Sequence, residues 1–406
     1  MFGRRLTRHA AIGEITLRPL TVIAEKQTDS ANIAEEEMRD LIRANFGLLA
    51  AGVATFVMMG AGQSLYGPAL PVFARNLDLS LAAAGWLVSA HWIGCAFGVA
   101  FMYFKGAQTG PRHVIATMAL GAALVALGPG RSSAFGGALI YGAGYGMATV
   151  VFNPRILRAF GMHGTSMLSL LNACFGIGAI LSPLVFIWLG SSTALAFGLV
   201  AAFAVLTWIG AGSAGTSSSQ TASPTNGHFR PRLALQLFAV VGIGIEACLI
   251  GLGPVALIDL GAGEADAARL LSAFFVAFLG ARVALVFFAH LVTPFLIFLG
   301  AVSAIAVGAT LATILPGPAF VAIGLAAGLL FPGFYVAASR AMGDDPRTPP
   351  IIIAAGLVGG ISAPIVLGAL MESIGGRGFF LTLAGFACAA AIAGVIVRQR
   401  LSELRS

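Results

Sequence analysis

Acidic residues are scarce in this chain and almost missing from one long stretch of it, where Asp78 is the only carboxylate between residues 41 and 245. Charged residues of both signs make up 10% of the 406 positions and hydrophobic residues 58%, against about 25% charged in an ordinary soluble domain. So little charge excludes a soluble chain of this length and leaves the lipid bilayer as its solvent. Cysteine is equally sparing: Cys95, Cys174, Cys248 and Cys388 each lie inside an apolar run without CxxC spacing. That excludes a disulfide framework or a zinc site and leaves packing as their role. The histidines, His9, His91, His113, His163, His228 and His290, show no HxxH or HExxH spacing. There is also no Gly-x-Ser-x-Gly elbow and no phosphate loop ending in Lys-Ser/Thr. Nothing therefore points to a metal, a cofactor, enzymatic chemistry or ATP coupling within the chain.

What is present is a pair of hydrophobic arrays on either side of one polar Ser/Thr/Pro stretch, Ser213 to Arg232. Apolar runs long enough to span a bilayer cover 45–68, 82–104, 112–130, 134–153, 166–189 and 192–212, then 232–258, 266–289, 291–313, 317–340, 348–371 and 376–398. The second array repeats the first. Gly67-Pro68 recurs as Gly253-Pro254, Val88-Ser89-Ala90 as Leu271-Ser272-Ala273, Leu157-Arg158-Ala159 as Ser339-Arg340-Ala341, and Ser182-Pro183 as Ala363-Pro364. Matches in this order imply two related bundles with a substrate site at their interface. The expected architecture is all-α and integral to the membrane: twelve transmembrane helices in two pseudo-symmetric six-helix bundles. Residues 1–44 form a polar tail, 45–212 the first bundle, 213–231 the linker, 232–398 the second bundle and 399–406 a short polar end.

The net charge of +7 would suggest nucleic acid in a soluble domain, but here the arginines cluster in loops, where they report topology. With both termini cytoplasmic, the inner loops and carboxyl end carry eleven lysines and arginines, among them Lys105, Arg112, Arg155, Arg158 and Arg340. The outer loops carry four, Arg75, Arg131, Arg269 and Arg377. This bias places both termini and the linker in the cytoplasm, with the protein multi-pass in the plasma (inner) membrane.

The twelve spans, the duplication and the central linker together resemble the major facilitator superfamily over residues 45–400. Within it, the run Leu171-Asn172-Ala173-Cys174-Phe175-Gly176-Ile177-Gly178-Ala179, Gly244-Ile245-Glu246, and Phe274-Phe275 followed by Gly280-Ala281-Arg282 are similar to stretches of fucose-permease-like symporters. The superfamily's loop after span 2 usually reads G-x-x-x-D-[RK]-x-G-[RK]. Here Tyr103 and Ala107 stand at its first glycine and aspartate, and Gly110 and Arg112 remain. The resemblance implies alternating access. It implies gating roles for Arg112 and for the repeat-equivalent Arg158 and Arg340, which also suit the cytoplasmic ends of their helices.

Intramembrane charge marks the expected site. Glu246 lies 14 residues beyond Arg232, roughly 21 Å along a helix and so near the bilayer midplane. A carboxylate is expensive there and is read as proton-coupling, with helix packing as the alternative. Arg282 cannot shed its proton and requires a partner, either Glu246 or an anionic substrate. His91 in span 2 is packed core or cavity lining. Gln63, Tyr66, Asn153 and Asn172 supply donors and acceptors from helices that line the cavity in this superfamily, or else glue helices together. Asp259, Glu264, Asp266 and Glu372 are read as solvated. Pairs of glycines four apart, at 94/98, 142/146, 324/328 and 356/360, offer faces for close helix packing or for sliding.

The expected function is a secondary transporter of a small polar solute, a sugar or polyol or a small organic anion, proton-coupled through Glu246. Its expected partners are that solute, the lipid bilayer and protons; it acts as a monomer and binds no nucleic acid or cofactor. A drug or metabolite exporter of the same fold is the nearest alternative, since Gly178-x-x-x-Ser182-Pro183 resembles part of an antiporter signature. A non-transporting receptor and a membrane enzyme are the alternatives of other classes.

Overall fold

The computed structural model describes residues 37–128, 130–211, 233–288, 290–342 and 348–403, and those residues are helical throughout apart from short turns. The tail up to residue 36, the linker 213–231 and the last three residues lie outside the described residues. After a short helical stretch over 37–44 come α1 (Phe46–Asn76), α2 (Leu81–Lys105), α3 (Pro111–Leu127), α4 (Arg131–Phe160), α5 (Gly164–Trp188) and α6 (Thr193–Gly210). Next are α7 (Leu233–Gly251), the short α8 (Gly253–Asp259), α9 (Glu264–Phe288), α10 (Pro294–Ala312), α11 (Pro316–Met342) and α12 (Thr348–Glu403).

Among the described residues, nine helical runs are long and apolar enough to cross a membrane. Two of them are of double length, 58 residues over Arg131–Trp188 and 51 over Thr348–Arg398, and Pro111–Leu127 is a shorter apolar helix. The first double run turns at Gly161, whose φ is 49°, and the second at Gly375, whose φ is 63°. Both are left-handed conformations that glycine adopts without a Cβ penalty. Starts are set by caps: the Ser80 and Ser192 hydroxyls accept the backbone N–H of Ala83 and Leu195, each at 3.2 Å.

Two helices run further than their apolar stretches predict. α1 continues past residue 68 to Asn76 and α4 past 153 to Phe160, carrying Pro68, Pro71 and Pro154 within them. Helical hydrogen bonding does not stop where the side chains turn polar, and membrane helices tolerate proline where surrounding groups satisfy the freed carbonyl.

Most glycine pairs serve close packing within one half. Gly94 and Gly98 lie against the α4 backbone and Gly142 and Gly146 against that of α2, while Gly324 and Gly328 lie against the carbonyls of Phe274 and Phe278 on α9. Gly360 differs, facing the Trp92 ring of the other half. Three of the four pairs thus pack within one half, and Gly360 of the fourth reaches across to the other.

Candidate functional site

Gly394 near the end of α12 lies beside Phe238 near the start of α7, and Asn45, just before α1, donates to the Ala159 carbonyl near the end of α4 at 3.5 Å; the side of the protein bearing these helix ends is the terminal face. A cavity of about 260 Å³ lies between the two halves. It is lined by Phe56, Met59 and Gln63 of α1, Trp92, Cys95 and Val99 of α2, Tyr145, Thr149 and Asn153 of α4, and Asn172 and Phe175 of α5. The second half contributes Ile243, Glu246, Arg282, Phe331, Phe334 and, from α12, Ile352, Ile353, Gly356 and Leu357. These positions lie at mid-helix or in the helical halves nearer the terminal face, so the cavity faces that side.

The opposite face is closed by contacts between the halves. Gly67 of α1 packs against the Ile250 carbonyl and Pro254, Gly251 against Val88, and Gly85 against Leu252. The two copies of the repeated Gly-Pro motif thus meet each other. The Ser272 hydroxyl of α9 donates to the Ile180 carbonyl of α5 at 2.7 Å. Outermost, both guanidinium nitrogens of Arg75 engage the two carboxylate oxygens of Glu264, the second at 3.0 Å. Arg131 braces the adjoining loop by donating to the carbonyls of Leu77, at 2.8 Å, and Asp78.

Glu264 is therefore not the solvated loop carboxylate that its position in sequence suggests. Its partner lies 189 residues away and no local pattern links them. Asp259 likewise accepts the backbone N–H of Gly376, where the α12 chain turns back. The Arg75–Glu264 pair is partly exposed, at 58% and 37% of the side-chain surface, so its expected contribution is about 0.2–1 kcal/mol. We expect Glu264→Arg to open this face and Arg75→Glu/Glu264→Arg together to restore closure. A spin-label distance across that face reads both; if the double variant stays open, the pair is no latch.

Inside the cavity the two halves present different chemistry. The first half supplies neutral polar groups. Tyr145 O–H donates to Gln63 Oε1 at 2.9 Å, Asn172 Nδ2 donates to the Leu168 carbonyl at 2.9 Å, and Asn153 Oδ1 is buried without a hydrogen bond. The second half supplies both charges on an otherwise apolar wall. Arg282 donates from Nε to the Gly328 carbonyl at 3.2 Å, and its Cζ sits 4.3 Å from the Phe278 ring centroid. Glu246 Oε2 is buried with no hydrogen-bond partner. Glu246 and Arg282 interact electrostatically with each other and with Tyr145 but form no direct ion pair. The two charges thus face the same cavity within electrostatic reach of each other but not in a contact pair.

Tyr66 and His91 stand apart from the other expected substrate contacts. Each is 1% exposed and neither lines this cavity. Their rings meet at a 50° tilt with centroids 5.3 Å apart, one step deeper toward the closed face. His91 is also enclosed by Trp92, Tyr141 and Tyr145. Tyr66 Oη and both His91 nitrogens have no partner. Of the arginines expected to gate, Arg112 lies 5.2 Å from the Trp208 ring, Arg158 donates to the Pro154 carbonyl at 3.2 Å, and Arg340 is exposed at the end of α11. The Arg112–Trp208 and Arg158–Pro154 contacts both lie within the first half. Arg155, beside them, donates to the Thr109 carbonyl at 3.2 Å and ties α4 to the loop before α3.

Sequence reasoning passes over Tyr145 and Thr149, although Tyr145, Thr149 and Asn153 are spaced four apart and so share one helix face. Once Asn153 is taken as a cavity residue, that spacing identifies the other two.

The sequence profile of the Major Facilitator Superfamily matches residues 52–348. Comparison with curated protein sequences finds no match. Among solved structures, the nucleoside transporter NupG superposes with a TM-score of 0.69 at 15% identity, covering 87% of this chain and 98% of that one. A D-xylose-proton symporter gives 0.67 at 15% identity over 86% and 96%, and the E. coli fucose:proton symporter FucP 0.56 at 16% over 86% and 98%. At such identities the likeness is one of fold. With the profile spanning most of its length and a transporter-like cavity between its halves, the chain belongs to the Major Facilitator Superfamily.

Proposed function

We propose that this protein is a secondary active transporter that carries a small polar solute, a sugar or polyol or an organic anion, by alternating access. Counting each double-length run as two crossings and adding Pro111–Leu127 gives twelve spans, six on either side of the linker. Both termini are cytoplasmic on the count of positive loop charges, which makes the terminal face the inner one and the described state inward-facing. Glu246 is the proton-coupling group. Gln63, Asn153, Asn172 and Arg282 contact the solute in this state, and Tyr66 and His91 do so in the outward-facing one. Arg112, Arg158 and Arg340 act at the inner rim.

One observation carries this reading: an interfacial cavity that holds a half-buried carboxylate and a half-buried guanidinium, not in contact with each other, above an opposite face closed by contacts between the halves. Charges at this depth are costly and persist where they serve transport. The proton-coupled sugar carriers among the structural neighbours support the solute class. The test is a thermal-shift screen of purified protein against sugars, polyols, carboxylates and amphipathic drugs. A ligand at 100 times its Kd stabilises the folded state by about 2.7 kcal/mol, an upward shift in Tm that is readily seen. The same ligand should then enter proteoliposomes in response to a pH gradient. A compound that binds but never crosses would make the protein a receptor.

A further inference from the structure

We propose that the transported solute is a ring-bearing organic monoanion, its carboxylate held by Arg282 and its flat apolar body lying between the two halves. This rests on the transporter reading above and narrows its substrate class.

The guanidinium is the first support. Arg282 is fixed by its Nε bond to Gly328 and by the Phe278 ring beneath it, which leaves its terminal nitrogens to act as a fork. Such a fork matches the two oxygens of a carboxylate. It cannot discharge itself by losing a proton, and no carboxylate of the protein forms an ion pair with it among the described residues. Glu246 acts on it only across the cavity and leaves its terminal nitrogens without a contact partner, so a carboxylate that docks there supplies the close counter-charge, with Glu246 then in its neutral, protonated form.

Ring chemistry is the second support. Phe56, Trp92, Tyr145 and Phe175 line one side and Phe331 and Phe334 the other. Tyr145 meets Trp92 and Phe175 edge-on, with centroids 6.1 and 6.4 Å apart. Rigid aromatic walls favour a flat apolar body by stacking and edge contacts. Apart from its two charges, the second half's wall is formed by aliphatic and phenylalanine side chains and Gly356. A sugar, with hydroxyls on all sides, would leave some unpaired against that wall at about 1–3 kcal/mol each. A ring acid leaves none there and can turn a polar substituent toward Gln63 and Asn153. The volume, about 260 Å³, lies below the roughly 300–1,000 Å³ of drug-sized pockets and suits a one-ring acid.

The test uses purified full-length protein. Binding is read by thermal shift, and uptake into proteoliposomes is compared with protein-free liposomes, for 4-hydroxybenzoate, phenylacetate and indole-3-acetate. Each acid is set against its neutral amide and against xylose, uridine and phenylalanine. The expected result is binding and uptake of at least one acid, with its amide about tenfold weaker or worse, since the amide forfeits a charge-assisted bidentate contact. Arg282→Lys should weaken the acid more than the amide, and Arg282→Gln should erase the preference between them. Equal binding of acid and amide by the unaltered protein overturns the proposal without any variant. Uptake of xylose, uridine or phenylalanine in preference to every acid overturns the substrate class and leaves the transporter reading standing. Absence of binding and uptake across the panel overturns the class, and the wider screen described above then decides whether the transporter reading falls with it.

Discussion

Glu246→Gln is expected to abolish accumulation of solute against its gradient while leaving exchange of solute for solute intact. Glutamine keeps the size and the hydrogen-bonding capacity of a protonated glutamate but never ionises. A carrier locked in the neutral form can rock when loaded, yet it cannot release a proton to one side and collect another from the other. One proton per solute across one pH unit is worth about 1.4 kcal/mol, a factor of about ten in the accumulation ratio. The unaltered protein should thus concentrate its solute about tenfold per pH unit in proteoliposomes, and the variant should stop at a ratio of one. An unchanged ratio in Glu246→Gln would move coupling to another group, and uptake by the unaltered protein that ignores the pH gradient would make it a uniporter.

The structure shows why that carboxylate has no counterpart in the first half. Gly60 is the repeat-equivalent of Glu246, and a Cβ built there would run into the Phe175 carbonyl and the backbone of Ala179. α1 and α5 approach too closely at that point for any side chain. Val99, the equivalent of Arg282, lines the cavity from the first half but carries no charge. The duplication thus supplies one scaffold twice, while backbone proximity in one copy and open space in the other assign the charges to the second half. The cavity's two unlike walls follow from this.

Hydropathy makes the helices legible because a bilayer demands long apolar runs with their backbone bonds satisfied internally. It also locates Glu246 and Arg282, since a charge stands out in an apolar run. What it does not encode is which side of a helix faces the interface. Tyr66 follows Gln63 by three residues on α1, yet Gln63 lines the cavity and Tyr66 is sealed beneath it among aromatic rings. The difference is depth relative to the gate, which depends on how the halves are tilted and not on local pattern. The Arg75–Glu264 pair is hidden for the same reason. Its partners come from different copies of the repeat, and neither copy carries a sign of the other.

Gly67→Val is expected to hold the outer face open and to cut transport at least tenfold. In the described state Gly67 lies against the Ile250 carbonyl, and a Cβ would stand 2.9 Å from Pro254 Cγ. Neither neighbour is the end of a flexible chain, so the added isopropyl group must push α1 away from α7 and α8. Overpacking of this kind costs about 1–3 kcal/mol, and here the cost falls on the outward-closed state alone, because opening the outer face separates these helices. A penalty confined to one state shifts the balance between the two by roughly five- to 150-fold. Spin labels at Leu79 and Ala265, on the outer ends of the two halves, should move from one short distance to a longer one. Gly67→Ala should produce a smaller shift in the same direction. Transport and label distances unchanged in Gly67→Val would mean that the outer seal is made elsewhere, with Arg75–Glu264 and the Ser272 bond to Ile180 left to carry it. Glu246→Gln halts coupling without altering which states are reached, whereas Gly67→Val alters the states and leaves the coupling group intact. Solute exchange, retained in the first and lost in the second, separates the coupling site from the gate.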